Sequence, residues 1–176
     1  MLAEADGSAA EAERVADELV EALSASALAL HRPPPDELWR WREGVSIAVT
    51  AATGRRVSED VAVPVDRLRD IVAGTLEIGA RHGLQACGWG HAGDGNVHSS
   101  FLFTPAEEAA ALASLDDLAA LAISLGGTIS GEHGIGVLKL PHLAAQLGPR
   151  TLALQHEIKR IFDPKGLLNP GKKVHA

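Results

Sequence analysis

The sequence predicts an α+β fold in which helices cover one face of a mainly antiparallel sheet. Segments with apolar residues at helical spacing alternate with segments of strand character along the 176 residues. Two of the strand segments, 84–91 and 97–103, flank Gly93-Asp94-Gly95-Asn96, a run typical of a hairpin turn. With 46% hydrophobic content, the chain is long enough for one packed domain, with little left over for a second.

Three helices are predicted in the first half of the chain. Ser8 and Glu11 form a capping-box pattern, and apolar residues at helical spacing follow them. Gly54 and Gly83 end the next two helical patterns, since glycine commonly terminates a helix. The predicted helices are about 9–24, 36–53 and a segment from about 68, and the predicted strands are 1–6, 27–31 and 60–64.

The second half continues from the hairpin into two further helices. Thr104-Pro105-Ala106-Glu107 combines a capping box with proline at the first helical position, and it opens an Ala/Leu-rich helix that ends at Gly126-Gly127. A glycine-rich loop over 127–136 follows. The last clear helix, about 150–162, ends in Asp163-Pro164-Lys165-Gly166, a strong turn signal.

Composition and charge exclude several functions. A net charge of −7 and an aromatic content of 3% argue against a surface for nucleic acid. The single Cys87 cannot form an internal disulfide, and no cysteine pairs are present for a zinc ribbon or an iron–sulfur cluster. Residues 1–7 do not have the features of a signal peptide. We therefore expect a protein of the reducing cytoplasm.

The hairpin contains two histidines that could share one ligand. If Asp94-Gly95 forms a type I′ turn, His91 lies directly opposite His98, with Cβ atoms roughly 4.5–5.5 Å apart. Two imidazoles at that spacing can bind one divalent metal ion, and the surrounding glycines leave room for close approach. Asn96 either caps the turn or donates to a substrate oxygen. The alternative is that both histidines lie on a solvated face.

The glycine-rich loop supplies two more candidates, Glu132 and His133. Its spacing, Gly131-x-x-Gly134-x-Gly136, differs from the Gly-x-Gly-x-x-Gly of a dinucleotide fingerprint. Glu132 can complete a His/His/Glu metal set with a free position for a substrate oxygen, and His133 can act as a general base. These ligands do not distinguish zinc, iron and manganese. The alternative is a connector with a surface Glu and His.

These motifs resemble the carboxy-terminal half of the FAD-linked oxidases of the vanillyl-alcohol oxidase type. The resemblance is to the branch of the D-lactate dehydrogenases (cytochrome) and the glycolate oxidase FAD-binding subunit. It implies that residues 1–176 form one substrate-binding cap domain, with a ferredoxin-like antiparallel sheet and helices on one face. The matching segments are 39–43, 59–64, 91–98, 131–136 with Lys139, and 161–172.

The resemblance implies that a flavin dehydrogenates a small D-2-hydroxy acid. In the family, a divalent metal ion ligates the substrate's hydroxyl and carboxylate, and a base takes the hydroxyl proton as hydride passes from C2 to FAD. Arg42 could instead be a solvated charge on a helix, and Asn169 and Lys172 could instead belong to a turn that ends a helix. The implied roles are metal ligation by His91, His98 and Glu132, proton transfer by His133, substrate binding by Arg42 and Asn96, and flavin contact by Asn169 and Lys172.

The same resemblance sets expectations about partners. Ser58 stands near the position where relatives that act on longer dicarboxylic hydroxy acids have a lysine, which favours lactate or glycolate. We expect no flavin-binding domain in this chain, so that FAD is held mainly by a domain supplied in cis or in trans. An electron-acceptor partner would place the protein at the inner membrane. The other hypothesis is a catalytically silent metal-binding or interaction domain, left after loss of the flavin domain and able to form homo-oligomers.

Overall fold

The computed structural model describes residues 1–172 of the chain, and at Ala52 and Thr53 it describes the backbone alone. The residues fall into two units, Met1–Ala52 and Thr53–Ala176. No helix among the described residues is both long enough and apolar enough to cross a membrane.

The first unit contains two helices, α1 (Ala9–Ser24) and α2 (Pro35–Thr53). The capping box predicted for α1 is present, because the backbone N–H and the hydroxyl of Ser8 donate to Glu11 at 3.1 and 2.6 Å. Both helices lie where they were predicted. Their signals, a cap and an apolar spacing, are local and do not depend on the rest of the fold.

The strands predicted at 1–6 and 27–31 are wrong, because neither segment forms a strand. Each run is too short for alternation to distinguish a strand from an extended connection, and a strand needs a partner to complete its hydrogen bonds. The connection after α1 is instead tied to that helix by Arg32. Its guanidinium donates to Glu13 and Asp17 at 3.3 and 2.5 Å.

The second unit contains a three-stranded antiparallel sheet in the order β1-β3-β2. Its strands are β1 (Arg56–Ala62), β2 (Gln85–His91) and β3 (Asn96–Leu102). Helix α3 (Leu68–Arg81) connects β1 to β2, and α4 (Glu108–Ser124) follows β3. A lone bridge between Ala62 and Thr128 lies where the fourth strand of a ferredoxin-like β-α-β-β-α-β unit would pair with β1. The predicted α+β class is confirmed.

Helices α3 and α4 cover one face of this sheet. Because successive residues of a strand point to opposite faces, the alternate residues of each strand face away from the helices.

Strand β1 starts at Arg56, four residues before the predicted start at Asp60. Its early residues are mostly polar, so an apolar pattern could not reveal them. Five apolar residues at the centre of the core are each at most 3% exposed: Val61, Val97, Phe101, Ile71 and Leu118.

The register of the hairpin differs from the predicted one, because His91 lies opposite Asn96 instead of His98. A type I′ turn needs positive φ at both central residues, and in this turn only Gly95 has it, at 77°. The loop is therefore longer than two residues, and Asp94 accepts the backbone N–H of Asn96 at 3.0 Å. A shift of two residues keeps His91 and His98 on the same face.

The last part of the chain contains α5 (Leu143–Gln146) and α6 (Pro149–Phe162). Asp163 follows α6, and its carboxylate accepts the backbone N–H groups of Leu167 and Leu168, both at 2.9 Å. A hydrogen bond from Lys159 holds the pKa of Asp163 below its usual range. The predicted end of this helix at residue 162 is confirmed.

Candidate active site

The candidate residues of the second unit lie on the sheet face that α3 and α4 leave uncovered, called the open face below. Asp60 of β1, His98 of β3 and Trp89 of β2 form one cross-strand row on this face. His91 lies two residues beyond Trp89 on the same face, and its ring centre is 5.7 Å from that of His98. Three strands therefore contribute side chains to one polar area.

The glycine-rich loop leaves the edge of β1 and passes over the open face. Thr128 pairs with Ala62 through two backbone hydrogen bonds of 2.7 and 3.1 Å, which fix the start of the loop. Farther along, the Ser130 hydroxyl accepts the backbone N–H of Gly134 at 2.7 Å and closes a turn. This turn brings the two candidate side chains of the loop to the hairpin.

Glu132 brings a carboxylate to both histidines of the hairpin. Its Oε1 lies 3.2 Å from Nε2 of His98 and 3.7 Å from Nε2 of His91. Donor atoms of the three residues all lie within 4.8 Å of one another. The ligands of a tetrahedral zinc ion, at bond lengths of about 2.0–2.1 Å, are roughly 3.3 Å apart. The two separations from Glu132 are close to this value, so the three side chains could hold one divalent ion.

His98 is the most buried of these three donors, with 12% of its side chain exposed. Burial lowers the pKa of His98, and the nearby carboxylate of Glu132 only partly opposes this effect. At neutral pH a lowered pKa favours the neutral form of the imidazole. This is the form of histidine that ligates metal ions.

His133 lies beside the three donors and is more exposed. Its side chain is 60% exposed, and its ring stacks on that of His98 with ring centres 5.2 Å apart. Its Nε2 is 3.8 Å from Oε1 of Glu132, and its Nδ1 is 3.5 Å from Oδ1 of Asp60. The structure thus brings together the four residues that were predicted as metal ligands and base.

Two further residues of the site, Asp60 and Lys139, were assigned no role from the sequence. Both are buried. Oδ2 of Asp60 accepts the backbone N–H groups of Glu132 and His133, and Oδ1 contacts Lys139. Burial alone would raise the pKa of Asp60, but the hydrogen bonds from Lys139, His133 and Glu132 lower it below its usual value. The sequence signal that could have pointed to Asp60 is the position of an acidic residue directly before the apolar run 61–63.

Asn96 lies against the loop and is 5% exposed. Its Oδ1 is buried and has no hydrogen-bond partner among the described residues. A Cβ on Gly131 would lie 2.6 Å from this oxygen, so the loop can pack on the amide only because residue 131 is glycine. The side chain of Asp94, rather than that of Asn96, caps the hairpin turn.

We expect Gly131→Ala to destabilise the fold by about 1–3 kcal/mol, the usual cost of an overpacked site. The added methyl group would meet the amide of Asn96, a residue that is only 5% exposed. Gly136→Ala is the matched control, because a Cβ there meets nothing within 4 Å. Denaturant unfolding of both variants measures the difference. Equal stability of the two variants would show that the loop does not pack tightly on Asn96.

The open face also carries a guanidinium that was not among the predicted site residues. Arg56 lies over the ring of Trp89, with Cζ 5.2 Å from the ring centre, and it donates to the Ser100 hydroxyl at 3.4 Å. Ser100 in turn donates to Ser58 at 2.8 Å. Ser58 stands near the position where some relatives were expected to have a lysine. The Ser100 hydroxyl therefore links this position to Arg56.

Three predicted residues lie in other parts of the chain. Arg42 belongs to α2 of the first unit, where its Cζ is 5.7 Å from the ring centre of Trp39. Asn169 has a φ of 48°, and its carbonyl accepts the backbone N–H of Lys172 at 3.2 Å. Asn169 and Lys172 thus form a turn after α6, and the roles of all three residues in substrate or flavin binding stay predictions.

The fold and the site define an α+β domain whose open face carries a cluster of histidine and carboxylate side chains. The chain belongs to the family described as "FAD linked oxidases, C-terminal domain", and the model of this family matches residues 1–173. The family predicted from the sequence motifs is therefore confirmed.

Several curated proteins are similar to this chain. It is 43% identical over 115 residues to a D-lactate dehydrogenase of Archaeoglobus fulgidus, which covers 65% of this chain and 26% of that protein. It is 35% identical over 143 residues to the mitochondrial D-lactate dehydrogenase [cytochrome] of Kluyveromyces lactis, with 77% and 25% covered. It is 34% identical over 167 residues to the glycolate oxidase subunit GlcD of Escherichia coli (strain K12), with 92% and 33% covered. The chain thus spans about a quarter to a third of the length of these relatives.

Proposed function

We propose that the chain is the substrate- and metal-binding part of an FAD-dependent dehydrogenase of small D-2-hydroxy acids. The proposal rests on the convergence of His91, His98 and Glu132, with His133 beside them. Membership of the FAD-linked oxidase family supports flavin chemistry. The relatives named D-lactate dehydrogenase and glycolate oxidase support a short hydroxy acid as the substrate.

His91, His98 and Glu132 would hold a divalent ion, which could be zinc, iron or manganese. Two imidazoles and one carboxylate suit all three metals and leave positions free for oxygen atoms of a substrate. Glu132 is half exposed, so a small acid can reach the site from solvent. When bound, the ion supplies positive charge that makes the substrate hydroxyl more acidic.

His133 would take the proton of this hydroxyl on Nε2. Its ring is held by stacking on His98 and by the carboxylate of Asp60 at Nδ1. Because most of its side chain is exposed, His133 can pass the proton on to water. FAD, when bound, would accept the hydride from C2 of the substrate. Loss of this hydride and of the hydroxyl proton converts the 2-hydroxy acid into a 2-oxo acid.

Four other residues would complete substrate and flavin binding. Arg42 would bind the substrate carboxylate through two N–H groups, and Asn96 would contact a substrate oxygen. Asn169 and Lys172 offer an amide and an ammonium in one exposed turn, which suits a contact with a flavin but cannot enclose one. A flavin-binding domain, in cis or in trans, would therefore hold most of the FAD.

The test is a turnover assay with a flavin-binding domain supplied in cis or in trans. We expect D-lactate or glycolate to reduce an electron-accepting dye, L-lactate to be inert, and chelation to abolish turnover until zinc or manganese is restored. Metal dependence is expected because the donor atoms of His91, His98 and Glu132 lie within 4.8 Å of one another, so that one ion bound there could act on the substrate hydroxyl.

Three results would contradict this function or a part of it. Equal turnover with and without metal would remove the metal set from the reaction. A metal-loaded chain that gives no turnover with any flavin-binding domain would favour the catalytically silent domain. Faster turnover with a longer dicarboxylic hydroxy acid would contradict the small substrate, and Arg56 on the open face would then be the candidate to bind the second carboxylate.

A further inference from the structure

We propose that Asp60, anchored by Lys139, is the positioning residue that sets where the Glu132 carboxylate and the His133 imidazole lie. The catalytic consequence rests on the proposed function, because these are the ligand and the base of that site. The structural argument uses only the contacts of one buried carboxylate with the loop.

Asp60 reaches the loop because of its place in the sheet. It lies near the end of β1, opposite His98, on the open face, and it is fully buried. The loop begins beside Ala62, two residues beyond Asp60, at the bridge with Thr128. A side chain at position 60 therefore points into the space that the loop covers.

One oxygen of this carboxylate orders the backbone of the loop. Oδ2 accepts the N–H of Glu132 at 2.5 Å and the N–H of His133 at 2.9 Å. Two consecutive N–H groups can donate to one oxygen only if both point toward it, which fixes the peptide plane between them. Because the acceptor is ionised, these bonds are stronger than bonds between neutral groups. The direction of both side chains follows from this backbone conformation.

The other oxygen faces the imidazole. Oδ1 of Asp60 lies 3.5 Å from Nδ1 of His133. A carboxylate beside Nδ1 favours the tautomer with its hydrogen on that nitrogen, which leaves the lone pair of Nε2 free. Nε2 is the nitrogen that lies 3.8 Å from Glu132. Asp60 thus orients the proposed base as well as the proposed ligand.

Lys139 holds the carboxylate in place, and Glu59 provides a matched control for its role. Nζ of Lys139 contacts Oδ1 of Asp60, donates to its backbone carbonyl at 2.9 Å and pairs with Glu59 at 3.0 Å. Glu59 lies on the opposite face of β1 because neighbouring residues of a strand alternate. Among the described contacts, the ion pair of Glu59 is with Lys139 and not with the loop turn.

The test compares Asp60→Ala with Glu59→Ala in the full chain. Each substitution removes one carboxylate from Lys139 and leaves the other, so the buried ammonium keeps a partner in both variants. Amide hydrogen exchange reports on the loop at residues 132 and 133, and the amide of Phe101 in the core reports on global unfolding.

We expect Asp60→Ala to accelerate exchange at residues 132 and 133 by roughly tenfold or more relative to Phe101. We expect Glu59→Ala to leave this ratio unchanged. Equal acceleration at all three amides in both variants would overturn the proposal, because it would show that the carboxylates only stabilise the fold. An unchanged ratio in Asp60→Ala would overturn it as well.

A second measurement applies even where Asp60→Ala does not fold. In the unsubstituted chain, the imidazole nitrogen chemical shifts of His133 should show the hydrogen on Nδ1, and a predominant Nε2–H tautomer would overturn the proposal.

The zinc affinity of the folded variants gives a third readout. We expect Asp60→Ala to bind zinc roughly 10- to 100-fold more weakly and Glu59→Ala to bind it as the unsubstituted chain does.

The failure of the proposed function can be told apart from the failure of this inference. A chain that binds no zinc would lose the metal site of the proposed function. Hydrogen exchange and the imidazole shifts would still decide whether Asp60 positions Glu132 and His133, since neither measurement needs a metal ion.

Discussion

We expect His133→Ala to lower turnover by roughly 10²- to 10⁴-fold while the chain keeps its metal ion, because general-base catalysis contributes about this factor. The ring of His133 stacks on His98, and its Nε2 is 3.8 Å from Glu132. Its removal takes away the proton acceptor and leaves the three donor atoms of the metal set. The measurement is kcat with D-lactate or glycolate and a flavin-binding domain, with metal content determined on the same samples.

His82→Ala is the matched control for this experiment. His82 lies at the end of α3 and pairs with Asp117 at 2.8 Å, so its loss removes an imidazole from the helix side of the sheet. A fall in the metal content of His133→Ala would place His133 among the ligands. Unchanged turnover in that variant would exclude it as the base.

The second large effect is expected for His98→Ala, which should weaken zinc binding by at least about 100-fold. Groups that only support a metal ligand already contribute 10- to 100-fold, so the loss of a ligand should exceed this range. His98 lies closer to Glu132 than His91 does, at 3.2 against 3.7 Å, and is more buried. We therefore expect a larger loss for His98→Ala than for His91→Ala, measured by calorimetric titration of the flavin-free chain with zinc.

The zinc titration needs the same His82→Ala control, since it separates a loss of ligand from a general loss of stability. Zinc affinity that is unchanged in both hairpin variants would refute a shared site on the hairpin. A loss confined to His98→Ala would assign only one hairpin histidine to the metal.

Local signals made much of the fold predictable from the sequence. The capping boxes at Ser8 and Thr104 are both present, and helices follow them as expected. The register of the hairpin could not be predicted in this way. It depends on the φ angle of Asp94, and an Asp-Gly pair is compatible with more than one turn.

The candidate site was predictable only where its residues belong to motifs. The metal set of His91, His98 and Glu132 follows from two glycine-rich segments, and the structure brings their donor atoms within 4.8 Å of one another. Asp60, in contrast, binds backbone groups 72 and 73 positions later in the chain. Nothing in its local sequence marks those partners, because the contact arises from tertiary packing.

The bridge between Ala62 and Thr128 marks the point where the loop stops pairing with β1 and turns toward the site. If this pairing continued as a regular strand, the next hydrogen-bonded pair would join Asp60 to Ser130, and Glu132 would extend along the edge of β1. Instead the ladder stops after one pair, and the backbone carbonyl of Asp60 accepts Nζ of Lys139 at 2.9 Å. The lysine replaces a strand hydrogen bond, so the loop is free to leave the edge and cross the face.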